Sequence, residues 1–107
     1  MYIIDIYMIG LKRIEGFEWD DGNARKSADK HSVSQAESEQ IFFNAPLLML
    51  EGVGHSELEP RIHALGKTDA ERLLHVTFTL RAQGTRIRVI SARDMSRKER
   101  TRYDEEI

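Results

Sequence analysis

The sequence predicts an α+β domain, an antiparallel β-sheet with helices packed on one side. Three observations carry this. Residues 72–93, RLLHVTFTLRAQGTRIRVISAR, alternate with a period of two through both arms of a hairpin. Two S-x-x-E capping boxes, Ser34 to Glu37 and Ser96 to Glu99, open helices before and after the strands. The remaining candidate strands are adjacent in the chain, and short connections favour antiparallel neighbours.

The elements follow in order. Tyr2 to Ile9 could add an edge strand, but Met8 is also a plausible start, so residues 1–16 are read as an N-terminal extension and 17–107 as one domain. Phe17-Glu18-Trp19 forms a short strand. Asp20 caps a helix from Asp21 to about His31, with Trp19 and Ala24 placed for a hydrophobic staple. Lys30 and His31 fall in its last turn, where the helix dipole favours cations. The second helix starts at the Ser34 box, ends in Ile41-Phe42-Phe43, and is stopped by Asn44 and Pro46. Leu47 to Leu50 is a strand and Glu51 to Glu59 a loop. Arg61 to Leu65 alternates, with Arg61 and His63 on one side and Ile62 and Ala64 on the other. Gly66 to Glu71 turns the chain.

In the first hairpin arm Leu74, Val76, Phe78 and Leu80 share a face, and His75, Thr77, Thr79 and Arg81 share the other. The loop is Ala82-Gln83-Gly84. In the second arm Ile87 and Val89 alternate with Arg86 and Arg88. Aligning the apolar faces leaves an opposite face with Arg81, Arg86, Arg88 and His75, suited to a phosphate polyanion or simply solvated. The last helix docks through Met95, Glu99, Tyr103 and Ile107.

Composition narrows the chemistry. The chain has 107 residues and no Cys, which removes thiol nucleophiles, disulfides and thiolate metal sites and is compatible with a cytoplasmic protein. No apolar run reaches the ~20 residues of a membrane span. The net charge of −2 conceals asymmetry: residues 1–60 hold 5 basic and 11 acidic side chains, residues 61–102 hold 11 and 4. The basic block predicts an anionic partner. The four His residues, 31, 55, 63 and 75, do not match a zinc motif, and no phosphate-binding Gly loop or G-x-S-x-G is present. Arg, Lys, His and Tyr can together cleave RNA without metal. The 2′-OH is the nucleophile, a base takes its proton, and Arg forks hold the phosphoryl oxygens. The same Arg residues could equally bind without cleaving.

FEWD at 17–20, the pair Lys30-His31 followed by Val33, the H-x-x-x-x-x-R spacing of His55 and Arg61, Ala64-Leu65-Gly66, and IRVISARDMSRKERTRY at 87–103 together resemble the BrnT family of type II toxins. The resemblance covers about residues 17–103. It implies a RelE-like fold, a curved antiparallel sheet flanked by two N-terminal helices and one C-terminal helix. It implies a ribonuclease toxin that cuts RNA without a metal cofactor. The implied partner is a BrnA-type antitoxin, which carries a ribbon-helix-helix part, so operator DNA is bound only through the antitoxin. Carried over by position, Lys30, His31, Arg61, Arg81 and Arg93 are candidate catalytic residues, and Arg86, Arg88 and Tyr103 candidate RNA contacts. Glu99 also matches the family pattern, although a capping role suits it better than that of a base. Ser32 stands where the family commonly has Gly, at a helix end that often needs φ > 0. Asn23 and Ser27 also depart from it. These departures leave open a second function, a non-catalytic, antitoxin-binding module of a diverged toxin. A plain RNA-binding domain ranks last, because no aromatic residue is predicted on the polar face.

Overall fold

In the computed structural model the described residues are 2–4, 13–23, 31–51 and 61–106. Six strands form one sheet: β1 (Tyr2–Ile4), β2 (Gly16–Glu18), β3 (Leu48–Glu51), β4 (Ile62–Lys67), β5 (Leu73–Arg81) and β6 (Arg86–Asp94), in the order β1-β3-β4-β5-β6-β2. The helices are α1 (Gln35–Gln40), continued as a 3₁₀ turn over Ile41–Phe43, and α2 (Arg97–Glu105). Helical backbone is also present at residues 21–23 and at His31.

The central hairpin matches its alternation. Leu74, Val76 and Phe78 are fully buried on one face and meet Ala92 and Val89 across β6. Each such side chain contributes about 1.5–3 kcal/mol over its exposed state. Val33, Ile41 and Phe42 from the α1 region close over this face, together with Phe17 and Trp19. Gly66 permits the approach: a Cβ there would lie 2.9 Å from Ile41 Cβ and 3.2 Å from Leu47 Cδ1.

Two features correct the expected sheet. It is mixed, because β2 runs parallel to β6, with Phe17 beside Ile87 and Glu18 beside Arg88. The chain returns from β2 through the helices and three more strands, β3, β4 and β5, before β6 takes its place beside it, so no hairpin constrains their direction. Helices also lie on both faces, not one. The second face is capped at one end by α2: its Tyr103, with Met95 just before the helix, packs with Leu48, Leu50 and Leu65. Residues 2–4 pair antiparallel with β3 as an edge strand, the option ranked second from sequence. Gly66 and Lys67 belong to β4. The turn that follows is closed by Thr68 N–H donating to Arg72 C=O (2.9 Å).

Both capping boxes are formed, with reciprocal Ser and Glu contacts at Ser34/Glu37 and Ser96/Glu99. Asp20 Oδ1 accepts from the N–H groups of Gly22 and Asn23, as an N-cap should. Its predicted staple to Ala24 lies outside the described residues. Ser32 has φ 55, the left-handed conformation that the helix end requires. Asn23 is buried and clips this helix to the sheet. Its amide donates to Glu18 C=O (3.0 Å) and Val89 C=O (2.9 Å).

Candidate functional site

The chemistry-bearing residues gather on the second sheet face, beside α2. Register decides which ones. His63 on β4 is opposite Thr77 on β5, and His75 on β5 is opposite Arg93 on β6. Directly opposed residues point the same way, so His63, Thr77, His75 and Arg93 share this face.

Arg93 reaches it only through a bulge. The β5–β6 register shifts between Thr77 and Phe78: Thr77 pairs with Ser91 and Phe78 with Val89. Ile90 is the extra residue. With unbroken alternation, Arg93 would share the core face with Ile87 and Val89. The bulge inverts the parity and turns Arg93 to the polar face instead. Asn23, bonded to Val89 C=O, holds the backbone immediately before it.

The hydrogen bonds form a chain. Glu99, on the first turn of α2, accepts from Ser96 N–H at Oε1 (2.8 Å) and from Arg93 at both oxygens (2.8 and 3.0 Å). Its Oε2 lies 2.6 Å from His75 Nδ1. His75 Nε2 lies 3.0 Å from His63 Nδ1, and Thr77 Oγ1 is 3.0 Å from that same nitrogen. Glu99 is therefore both the helix cap and the acid end of this chain.

Burial alone would raise the Glu99 carboxyl, but Arg93, the Ser96 N–H and His75 outweigh it and hold its pKa at about 2. Burial lowers His75, with Arg93 adding to the effect and Glu99 opposing it. Burial lowers His63 as well, helped by His75, Arg93 and Arg61. Near neutral pH the cluster therefore holds an ionised carboxylate, a guanidinium and two neutral imidazoles. A neutral imidazole can take a proton, and Arg61 and Arg93 can hold an oxyanion. Among the described residues no group of three or more His, Asp or Glu is placed to hold a metal ion.

The residues singled out from sequence divide. Arg93 is in the cluster. Arg61 is exposed at the start of β4, close enough for its charge to act on His63. Arg86 is exposed at the start of β6. Arg88 is mostly covered and pairs with Asp20 (2.9 Å) and Glu18 (3.2 Å), while Arg81 stands 3.7 Å from Glu18. The hydrogen bond from Arg88 keeps the Asp20 carboxyl below its ordinary pKa. The expected cationic face is thus partly neutralised by the acids of FEWD, and its middle, His75, Thr77 and Thr79, is buried.

His31 stands elsewhere. Its carbonyl accepts from Arg72 (3.5 Å), and Arg72 also binds Asp94, Glu37 and Ser32 C=O, tying the first helix to α1 and the hairpin base. Lys30 lies outside the described residues. Tyr103 is fully buried and its hydroxyl donates to Pro46 C=O (2.6 Å), so its ring offers no face to a base. The sequence places His75 on the cationic face, but its pattern gives neither His75 nor His63 a catalytic role. Their meeting depends on the β4–β5 register, and the turn at 68–72 sets that register through contacts no motif announces.

The model of a protein family described as the ribonuclease toxin BrnT of type II toxin-antitoxin systems matches residues 19–99. No curated protein matches the chain. The matched span begins just after β2 and takes in the whole central hairpin and all four members of the Glu99–His75–His63–Arg93 cluster, and the chain belongs to the BrnT family of ribonuclease toxins.

Proposed function

We propose that the chain cleaves RNA without metal, using the 2′-OH as nucleophile, on the sheet face beside α2. The observation that carries this reading is the convergence of His63, His75, Arg93 and Glu99 on one partly covered face. In this mechanism His63 takes the 2′-OH proton and the 2′-oxygen attacks phosphorus. Arg93 and Arg61 receive the charge that grows on the phosphoryl oxygens. The P–O5′ bond breaks, and the 5′-oxygen leaves with a proton drawn from water. The products are a 2′,3′-cyclic phosphate and a 5′-hydroxyl. Arg86 and the Arg81/Arg88 pair sit further along the face, where flanking nucleotides would pass. This step assigns no role to His31, whose carbonyl is bound by Arg72.

The proposal extends to the surrounding biology, for which membership of a type II toxin-antitoxin family is the support. A BrnA-type antitoxin blocks the toxin, operator DNA is reached only through that antitoxin, and the toxin acts on cytoplasmic RNA to stop growth. The sheet with a terminal helix across one end suits a RelE-like fold. The other function worth testing is a non-catalytic antitoxin-binding module. The positive φ at Ser32, where an L side chain is strained, favours divergence, but it touches none of the site residues.

The test uses purified, antitoxin-free chain with end-labelled RNA in EDTA, beside His63→Ala and Arg93→Ala. Cleavage by the parent that falls at least about 100-fold in both variants supports the reading. Antitoxin binding without cleavage by the parent selects the binding module.

A further inference from the structure

Glu99 does more than carry charge, because its two oxygens are fixed in different roles. Oε1 accepts from Ser96 N–H (2.8 Å) within the capping box of α2. Oε2 faces His75 Nδ1 (2.6 Å) and Arg93 Nη2 (3.0 Å). A bare Nδ1 at that distance would set its lone pair against an ionised carboxylate. His75 therefore carries its proton on Nδ1 and donates to Oε2. Arg93 Nη2 also lies 2.8 Å from that ring nitrogen and could donate to it only if Nδ1 were bare; the shorter contact of Nδ1 with the ionised carboxylate decides for Nδ1–H, and Arg93 Nη2 donates to Oε2 (3.0 Å) instead.

The consequence passes to the next ring. With Nδ1 protonated, neutral His75 offers a lone pair at Nε2. The nitrogen facing it, His63 Nδ1 (3.0 Å), must then donate. Thr77 Oγ1, 3.0 Å from His63 Nδ1 and 3.5 Å from His75 Nε2, fits the same polarity by accepting from the first and donating to the second. His63 is then left with its lone pair on Nε2, the nitrogen that none of these contacts uses.

We propose that Glu99 and His75 are positioning residues: the capped carboxylate sets the tautomer of His75, which sets that of His63, so that His63 presents a bare Nε2 to the RNA 2′-OH. This rests on the ribonuclease reading for its purpose, but not for its geometry. A carboxylate that orients a histidine by its hydrogen bond controls which ring nitrogen can act as base.

The capping box makes the idea sharply testable. In Glu99→Gln the Ser96 N–H still requires an acceptor, so the amide carbonyl stays at the Oε1 position. Its NH₂ group then occupies the Oε2 position and faces His75 Nδ1 as a donor. His75 must turn to the Nε2–H tautomer and donate to His63 Nδ1, which moves the His63 proton to Nε2 and blocks the base. Gln suits a capping box, so α2 keeps its start.

The experiment is ¹⁵N-histidine NMR on the full chain at neutral pH, which assigns the protonated nitrogen of each ring without RNA. The parent should show Nδ1–H on both His63 and His75. Glu99→Gln should show Nε2–H on both, with kcat for RNA cleavage down about 100-fold and KM little changed. Ser96→Ala, which weakens the cap but leaves the carboxylate, should lower the melting temperature and alter neither tautomer. A parent spectrum with Nε2–H on His63 overturns the proposal outright. So does a Glu99→Gln spectrum identical to the parent. If the tautomers switch as expected while no form cleaves RNA, the relay stands and the ribonuclease reading fails.

Discussion

Single residues on this chain are asked to do two jobs, and the second was the illegible one. Glu99 could be read as a capping residue from S-x-x-E alone. Its grip on His75 could not, because that partner comes from another strand. Asn23 is similar: a polar residue in a short helix that proves buried, its amide spent on two carbonyls of the sheet. Replacing it by Ala strands both acceptors, so Asn23→Ala should lower unfolding stability by about 2 kcal/mol in urea titration. At the site, NMR titration should find His63 and His75 protonating below the usual 6.5. Arg93 opposes both imidazolium forms. Arg93→Ala should therefore raise both midpoints, and a fall would contradict the assigned electrostatics.

At the scale of elements, local chemistry was readable and pairing was not. Both capping boxes, the Asp20 cap and the two hairpin arms stand where their residues predict. The parallel entry of β2 and the Ile90 bulge do not follow from period-two patterns, which fix a face but not a partner. The bulge matters most, since it delivers Arg93 to the polar face. The hairpin loop carries its own strain: Ala82 (φ 53) and Gln83 (φ 58) precede Gly84 in the left-handed region. Ala82→Asn with Gln83→Gly should stabilise the chain by about 1 kcal/mol, read as a higher urea midpoint. Gly66→Ala should do the reverse, because the new methyl would meet Ile41 on the 3₁₀ turn. A neutral result there would mean that the turn can slide on β4.

Across the whole molecule the charge asymmetry seen in sequence resolves in part into pairing within the fold. The acidic first half supplies Glu18 and Asp20 to Arg88, and Glu37 to Arg72. That pairing sets the acid limit of the fold. His63 and His75 are lowered in the folded chain, so below pH 6.5 the unfolded chain binds more protons and stability falls. Glu99, Glu37 and Asp94 are held below their ordinary values, so their contribution is complete above about pH 4.5 and drains away beneath it. The urea midpoint should be flat from pH 8 to 7, decline below 6.5 and drop more steeply below 4.5. A midpoint that rises on acidification from 7 to 5 would invert the account.

The face built by His63, His75, Arg93 and Glu99 is proposed to drive attack by the 2′-OH. The most direct measurement maps a cleavage position in EDTA and then replaces the nucleotide 5′ of that bond with its 2′-deoxy counterpart. The account predicts that cleavage at this bond disappears while neighbouring sites are still cut, leaving 2′,3′-cyclic phosphate ends. Cleavage of the deoxy-substituted bond at an undiminished rate would contradict it.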